Sequence, residues 1–276
     1  VLPVNDAPVM SALADMTIDE NAVIDIVLTA SDVDEDVLTF SVTADTSAVI
    51  ASVSEDTLSL SPADNWNGAA EITVTVTDDA TIPLSDSKTF TLTVLPVNDA
   101  PIITAIDSVT IAEDSFAEVS LSAEDVDEDS LEFAVSSDTS AVTADVNGST
   151  LTLTPEANWN GTADITLFVT DGSLSDTTSF VLTVTPVNDP PGIVLPDTFE
   201  FSEDGLLAVD FTPYFNDIDS DTSLVLTAAG NIHINVAIDT FLVTFTADTN
   251  WNGFEDIVFT IDDQNLRFTD SDTVRV

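Results

Sequence analysis

Apolar and polar side chains alternate along much of this chain. Ile24, Ile26 and Leu28 fall on one face of the run Ala22–Leu28, and Leu38, Phe40 and Val42 are spaced by Thr39 and Ser41. Ile72, Val74 and Val76 alternate with threonines, as do Phe90, Leu92 and Val94. A period of two predicts half-buried antiparallel strands with β-branched threonine on the wet face. Met16–Ile18, Val49–Ser52 and Leu58–Leu60 bring the first stretch to about seven strands, which predicts a Greek-key β-sandwich. Amphipathic helical spacing of useful length is absent from the sequence.

The pattern then repeats. Val4-Asn5-Asp6-Ala7-Pro8 returns as Val97-Asn98-Asp99-Ala100-Pro101 and as Val187-Asn188-Asp189-Pro190-Pro191. Asp32-Val33-Asp34 returns as Asp125-Val126-Asp127 and Asp217-Ile218-Asp219, and Asn65-Trp66-Asn67-Gly68 returns at Asn158 and at Asn250. Proline at each joint stops a helix, extends its predecessor and stiffens the connection. The repeat predicts three domains, 1–97, 98–188 and 189–276, stacked end to end as a rod. The third is longer between its early Glu203 and Asp217, where Pro213-Tyr214-Phe215 predicts a bulge or longer loop. The chain starts on a joint and ends on a strand-like run, as expected of a piece cut from a longer array.

Charge changes the picture more than composition does. Fifty-one acids stand against three Lys and Arg, giving a net charge of −48. The acids are spread evenly over the three repeats. Nucleic acid and anionic membrane surfaces are excluded as partners, because the cations that would displace phosphate counterions are missing. The sequence has no apolar run that would span a membrane, so direct insertion is not expected. Hydrophobic content is 44% and cysteine count is zero, so the chain has the means to fold but no disulfide to staple it. Self-repulsion on this scale calls for bound divalent ions, high ambient salt, or both.

The acids recur in register. The first repeat has Glu20, Asp32 and Asp34, Asp64, Asp78 and the joint residue Asp6. The second has Glu113, Asp125 and Asp127, Glu156, Asp171 and Asp99; the third has Glu203, Asp217 and Asp219, Asp248, Asp262 and Asp189. Hard oxygen ligands in groups of roughly six to eight are what Ca²⁺ requires. One Asp-x-Asp in so acidic a chain means little; three copies in register with a Glu, a late Asp and an Asn-Asp joint point to a cation.

These pieces resemble the cadherin repeat family, in particular the bacterial cadherin-like repeats of large secreted and surface adhesins. Ala30-Ser31-Asp32-Val33-Asp34 ahead of Leu38-Thr39-Phe40 is similar to the family's Ala-x-Asp-x-Asp and strand. Val169-Thr170-Asp171-Gly172 resembles its late Asp segment, Asn98-Asp99-Ala100-Pro101 its Asn-Asp-Asn-x-Pro joint, and Glu20 and Glu113 its early Glu. The third repeat is closer to the dystroglycan-type cadherin-like variant. The resemblance implies an all-β chain of cadherin/Ig-like sandwiches with Ca²⁺ bound between domains. Carried over, the first junction would use Glu20, Asp64, Asn98, Asp99, Asp125, Asp127 and Asp171. The second would use Glu113, Glu156, Asn188, Asp189, Asp217, Asp219 and Asp262. Asp6, Asp32, Asp34 and Asp78 would form half a site. Pro96 and Pro186 stand where the family's joint opens with an Asp, and Ala100 and Pro190 replace its last Asn, which implies fewer ions per junction, about one or two.

What the resemblance implies is a calcium-rigidified extender or adhesion module, extracellular or on a bacterial cell surface, whose partners are neighbouring repeats of a longer chain. Alternatives are calcium-dependent polysaccharide binding, homophilic adhesion, and a passive spacer in a secreted enzyme. Catalysis is not expected: the acids recur in triplicate and no electrophilic or basic group accompanies them. Trp66, Trp159 and Trp251 are expected as core plugs under turns rather than sugar platforms. His233 is expected on an exposed strand without a partner, Lys88, Arg267 and Arg275 on the surface, and Tyr214 and Phe215 in core packing.

Overall fold

The computed structural model describes residues 4–219, 223–264 and 268–276; Arg267 lies outside them. Strands follow the alternation read from the sequence. In the first repeat they are β1 (Val9–Met10), β2 (Met16–Asp19), β3 (Ile24–Val27), β4 (Ala30–Ser31), β5 (Thr39–Ala44), β6 (Val49–Ser54), β7 (Thr57–Pro62), β8 (Gly68–Thr77) and β9 (Ser85–Leu95). The second repeat has β10 (Ile102–Ile103), β11 (Val109–Ala112), β12 (Ala117–Ser120), β13 (Ala123–Glu124), β14 (Glu132–Ser137), β15 (Val142–Asn147), β16 (Thr150–Pro155), β17 (Gly161–Thr170) and β18 (Ser175–Thr185). The third has β19 (Gly192–Ile193), β20 (Leu206–Asp210), β21 (Phe215–Asn216), β22 (Val225–Ala229), β23 (Ile234–Asp239), β24 (Leu242–Ala247), β25 (Asp256–Asp262) and β26 (Thr269–Arg275).

One compact unit comprises residues 1–104, 122–133 and 168–177. It holds a four-stranded sheet of order β2-β9-β8-β5, a three-stranded sheet β3-β7-β6, and the pairs β1-β4 and β10-β13. Strand β2 runs parallel to β9, Met16 opposite Leu92 through Asp19 opposite Leu95, while the remaining neighbours are antiparallel. Leu58, Leu60, Ile72, Val74, Val76 and Leu92 have no solvent exposure and form one core with half-buried Trp66. The opposite face of β8 and β9 is lined with hydroxyls in cross-strand hydrogen bonds, Thr73 to Thr89, Thr75 to Ser87 and Thr77 to Ser85. Such pairs let an uncharged strand face meet water while holding register.

The other unit comprises 105–121, 134–167 and 178–276. Its sheets are β12-β16-β15, β11-β18-β17-β14, β20-β24-β23, β22-β25-β26 and the pair β19-β21. Strand β11 pairs in parallel with β18, as β2 does with β9. In the third repeat the extra length before Asp217 becomes a 3₁₀ turn, Thr212–Tyr214, leading into β21. Tyr214 stacks edge-on against Phe211 at 5.7 Å and Phe215 lies 4.6 Å from Phe241 by ring centroid, so both serve packing. Fully buried Phe211, Phe245 and Phe259 make this core more aromatic than that of the first repeat, whose buried phenylalanine is Phe90.

The tryptophans are turn plugs. A Cβ added to Gly68, Gly161 or Gly253 would meet the indole two residues earlier at 3.0, 3.0 and 2.8 Å, and Gly68 and Gly161 hold φ of 146° and 151°. His233 departs from its expectation: it sits in the loop before β23, its Nδ1 3.2 Å from Asp248 Oδ2 and its ring stacked on Trp251 at 5.4 Å. Lys88 pairs with Asp86 at 3.0 Å and Arg275 with Asp256 at 2.9 Å, both partly exposed.

Candidate metal centres at the joints

Each Asp-x-Asp folds on itself because an Asp side chain accepts from the amide two residues on. Asp32 Oδ1 accepts from Asp34 N at 2.8 Å, Asp125 Oδ1 from Asp127 N at 2.9 Å, and Asp217 Oδ1 from Asp219 N at 2.9 Å. The second carboxylate of each pair then takes the amide of a joint aspartate. Asp34 Oδ2 accepts from Asp6 N at 2.8 Å, Asp127 Oδ2 from Asp99 N at 2.8 Å and Asp219 Oδ2 from Asp189 N at 2.6 Å. The joint asparagine reaches the late Asp: Asn5 Nδ2 donates to Asp78 Oδ2 at 3.0 Å, Asn98 to Asp171 at 2.8 Å and Asn188 to Asp263 at 2.6 Å.

The early Glu closes the frame at two joints. Val97 N donates to Glu20 Oε1 at 2.6 Å and Val187 N to Glu113 Oε1 at 2.5 Å, and each Glu is only 4% exposed. The parallel strand places it there, since the amides of Glu20 and Glu113 bond the carbonyls of Leu95 and Thr185 at 2.9 Å. Three successive joint residues thus gather Glu20, Asp125, Asp127 and Asp171 in one unit, and their counterparts Glu113, Asp217, Asp219 and Asp263 in the other.

What this frame leaves over is buried negative charge. Among the described residues Glu20 Oε2, Asp32 Oδ2, Asp99 Oδ2 and Asp125 Oδ2 are buried oxygens with no hydrogen-bond donor. At the second joint Glu113, Asp189 and Asp219 each offer an oxygen within 4.8 Å of the other two, and Asp32, Asp34 and Asp36 do the same in the first repeat. Burial and the carboxylates of Asp219, Asp114, Glu113 and Asp217 push the Asp189 carboxyl above its ordinary range. Burial, Asp32, Asp79, Asp78 and Asp34 do likewise for Asp36. Asp171 moves the other way, held low by the Asn98 amide and the backbone amides of Leu174 and Ser173. At Asp78 burial raises the carboxyl, and donors from Asn5, Leu84 and Ala80 outweigh it. Oxygens that are buried, anionic and undonated fit a hard divalent cation, and carboxylates of this number suit Ca²⁺ better than Mg²⁺.

Three sequence assignments shift. Asp263, fully buried, takes the place expected of Asp262: it accepts from Asn188, and its amide bonds Phe268 O at 3.3 Å just past β25, as Asp78 and Asp171 do just past β8 and β17. Asp262 is still inside β25 and accepts from Gln264 N at 2.8 Å. Asp64 and Glu156 stand exposed on the turns before β8 and β17 and bond nothing in the joint frame. Their neighbours do the reaching. Asn160 Nδ2 donates to Glu113 Oε2 at 3.2 Å, and the Asn158 amide nitrogen, turned toward acceptors, lies 3.1 Å from Asp189 Oδ2 and 3.3 Å from Asp114 Oδ2. The in-register repetition of Asn-Trp-Asn was the signal for this pair.

Residues 4–94 match the family described as cadherin-like domain, and residues 98–185 match the bacterial Ig domain family. Among solved structures the chain is similar to mouse cadherin-23 EC22-24, at 15% identity and TM-score 0.58 over 99% of this chain and 98% of that one. It is also similar to protocadherin gamma B2 extracellular cadherin domains 1-5, at 15% identity and TM-score 0.57 over 98% of this chain and 59% of that one, so it spans about three fifths of that relative. PcdhgB3 EC1-4 gives 15% identity and TM-score 0.55, with 98% and 74% covered. A comparison with functionally characterised proteins finds no match. The two family matches and the cadherin-like folds of these structures support a bacterial cadherin-like tandem repeat, an all-β chain of sandwich domains.

Proposed function

We propose that each joint binds calcium and that the chain serves as a calcium-rigidified extender or adhesion module of a bacterial extracellular or cell-surface protein. Glu20 Oε2, Asp99 Oδ2 and Asp125 Oδ2, buried without donors on a frame held by Val97, Asn98 and Asp99, are the observation that carries this reading. Glu20, Asn98, Asp99, Asp125, Asp127 and Asp171 would hold the ion at the first joint. Glu113, Asn188, Asp189, Asp217, Asp219 and Asp263 would hold it at the second, with Asp6, Asp32, Asp34 and Asp78 as the half-site. A bound Ca²⁺ supplies positive charge and coordination that offset carboxylate repulsion. The domains fall at 1–97, 98–188 and 189–276, and neighbouring repeats of a longer chain are the partners.

Extracellular modules bind calcium at roughly 10⁻⁴–10⁻³ M, so ambient calcium would set the occupied state. At a hundredfold excess over Kd one site adds about 2.7 kcal/mol, a large share of a small domain's stability. The test is calorimetric titration of chelated protein beside Asp125→Ala/Asp127→Ala. Saturable heat with the first-joint component lost in the variant supports the reading. Heat that fades with sodium chloride and ignores the variant means a diffuse ion atmosphere, and the reading falls.

A further inference from the structure

The two joints offer matching carboxylates but not matching donors. At the first, among the described residues, Glu20 Oε2 and Asp99 Oδ2 are buried without a hydrogen-bond donor, and Glu20 is only 4% exposed. At the second, Asn160 Nδ2 donates to Glu113 Oε2 at 3.2 Å, and the turned Asn158 amide nitrogen lies 3.1 Å from Asp189 Oδ2. Asn67 and Asn160 hold the same place in their Asn-Trp-Asn-Gly turns, yet only Asn160 reaches its Glu.

One change between the repeats accounts for Asn158. In the first repeat Asn65 N donates to Asn21 Oδ1 at 2.9 Å, and Asn21 Nδ2 donates back to Asn65 Oδ1 at 3.0 Å. In the second, Asp114 stands where Asn21 does and keeps the first bond, from Asn158 N to Asp114 Oδ1 at 2.9 Å. An ionised carboxylate has no proton to give back. The Asn158 amide therefore turns its nitrogen toward Asp114 Oδ2, 3.3 Å away, and the same group meets Asp189.

We propose that Asn158 and Asn160 hold the place of the cation at the second joint, and that calcium fills the first joint before the second. This rests on the reading of both joints as calcium sites. A buried oxygen without a donor has lost its water and gained no bond, so an ion arriving at Glu20 and Asp99 displaces nothing there. An ion arriving at Glu113 Oε2 and Asp189 Oδ2 must first detach two amides from carboxylates, and hydrogen bonds to charged groups are the stronger kind. Asp114 adds a negative charge to the second joint, but it is exposed and screened by salt, so the two amides decide the order. Between the two dissociation constants the chain holds calcium at one joint and amides at the other, and its stiffness answers to calcium in two steps.

The experiment is calorimetric calcium titration of chelated protein in about 0.15 M sodium chloride, with one joint disabled at a time. The Asp217→Ala/Asp219→Ala chain reports the first joint and the Asp125→Ala/Asp127→Ala chain the second. The half-site is common to both. The first joint should bind more tightly by about tenfold or more, and Asn160→Ala should tighten the second by about tenfold, the weight of one charge-assisted hydrogen bond. Asn67→Ala should leave the first joint within about twofold, since its amide holds no ligand oxygen. In the Asp125→Ala/Asp127→Ala chain the Asn160 side-chain amide resonance, identified by its loss in Asn160→Ala, should move as the second joint fills. Equal affinities, a second joint that Asn160→Ala weakens or leaves alone, or an amide resonance that calcium does not move overturns the proposal while calcium binding itself stands. Absence of saturable binding in both chains overturns the calcium reading of the joints, and the proposal with it.

Discussion

Asn98 donates its side-chain amide to Asp171 Oδ2 across 2.8 Å, although the two residues are 73 positions apart in the chain. The bond fixes a joint asparagine against the end of a long strand, and it is matched by Asn5 with Asp78 and Asn188 with Asp263. A carboxylate that accepts an amide in this way is positioned but not neutralised. Each joint is therefore ordered by hydrogen bonds and left short of positive charge.

Glu20→Gln should act with opposite sign in the two metal states. The buried Oε2 has no donor, so removing its charge relieves the chelated protein by about 1–3 kcal/mol. With calcium present the same change removes a ligand and lowers stability. Thermal unfolding in chelator and in millimolar calcium checks both signs. A shift of the same sign in both would mean that Glu20 does not hold an ion.

The calcium-free joints should respond to pH in opposite directions. Asp171 is held below 3.8 by Asn98 and two backbone amides, so its contribution is present above 3.8 and is lost as pH falls through the lower folded value. Asp189 is raised above 3.8 by burial and by Asp219, so its contribution is full below 3.8 and is lost as pH rises through the higher folded value. Urea unfolding across acidic pH, with Asp171→Asn and Asp189→Asn, should flatten one slope each.

Asp263→Ala should cost about 1–3 kcal/mol, because it strips a fully buried carboxylate acceptor from the Asn188 amide. Asp262→Ala removes an exposed bond from Gln264 N and should cost under about 1 kcal/mol. Urea midpoints for the pair decide which acid the joint uses.

Gly68→Ala should destabilise by about 1–3 kcal/mol, since a Cβ would lie 3.0 Å from the Trp66 indole at a φ of 146° that other residues rarely adopt. Gly148→Ala meets no atom within 4 Å and strains only its φ of 60°, so it should cost less. Tryptophan emission during unfolding follows both.

All seven strands expected of the first repeat form, because a strict alternation such as Ile72, Val74, Val76 leaves a strand one way to face a core. The joint was equally plain, since an Asp-x-Asp folds back through its own backbone. The Asp262/Asp263 register was not legible. Which acid lies inside a strand and which just past it depends on pairing with Thr269, far along the chain. Asn158 and Asn160 were hidden for a similar reason, as they look like turn residues until β11 brings Glu113 beside them. Acids such as Asp86, Asp176 and Asp270, which accept from the amides of Met10, Ile103 and Ile193, were lost in the sheer number of carboxylates.

Strands β9 and β18 have the same length, 11 residues, and nearly the same order of buried and exposed positions. Each is therefore a competent partner for the other's sandwich, and a chain refolding all at once faces two near-equal ways to complete either sheet. Synthesis from the N-terminus resolves the competition by time, because the first sandwich is complete before β18 exists. The third repeat resolves it by shape, since β26 brings Val274 where β9 brings Phe90, and a second large ring there would overpack a core already filled by Phe211, Phe245 and Phe259.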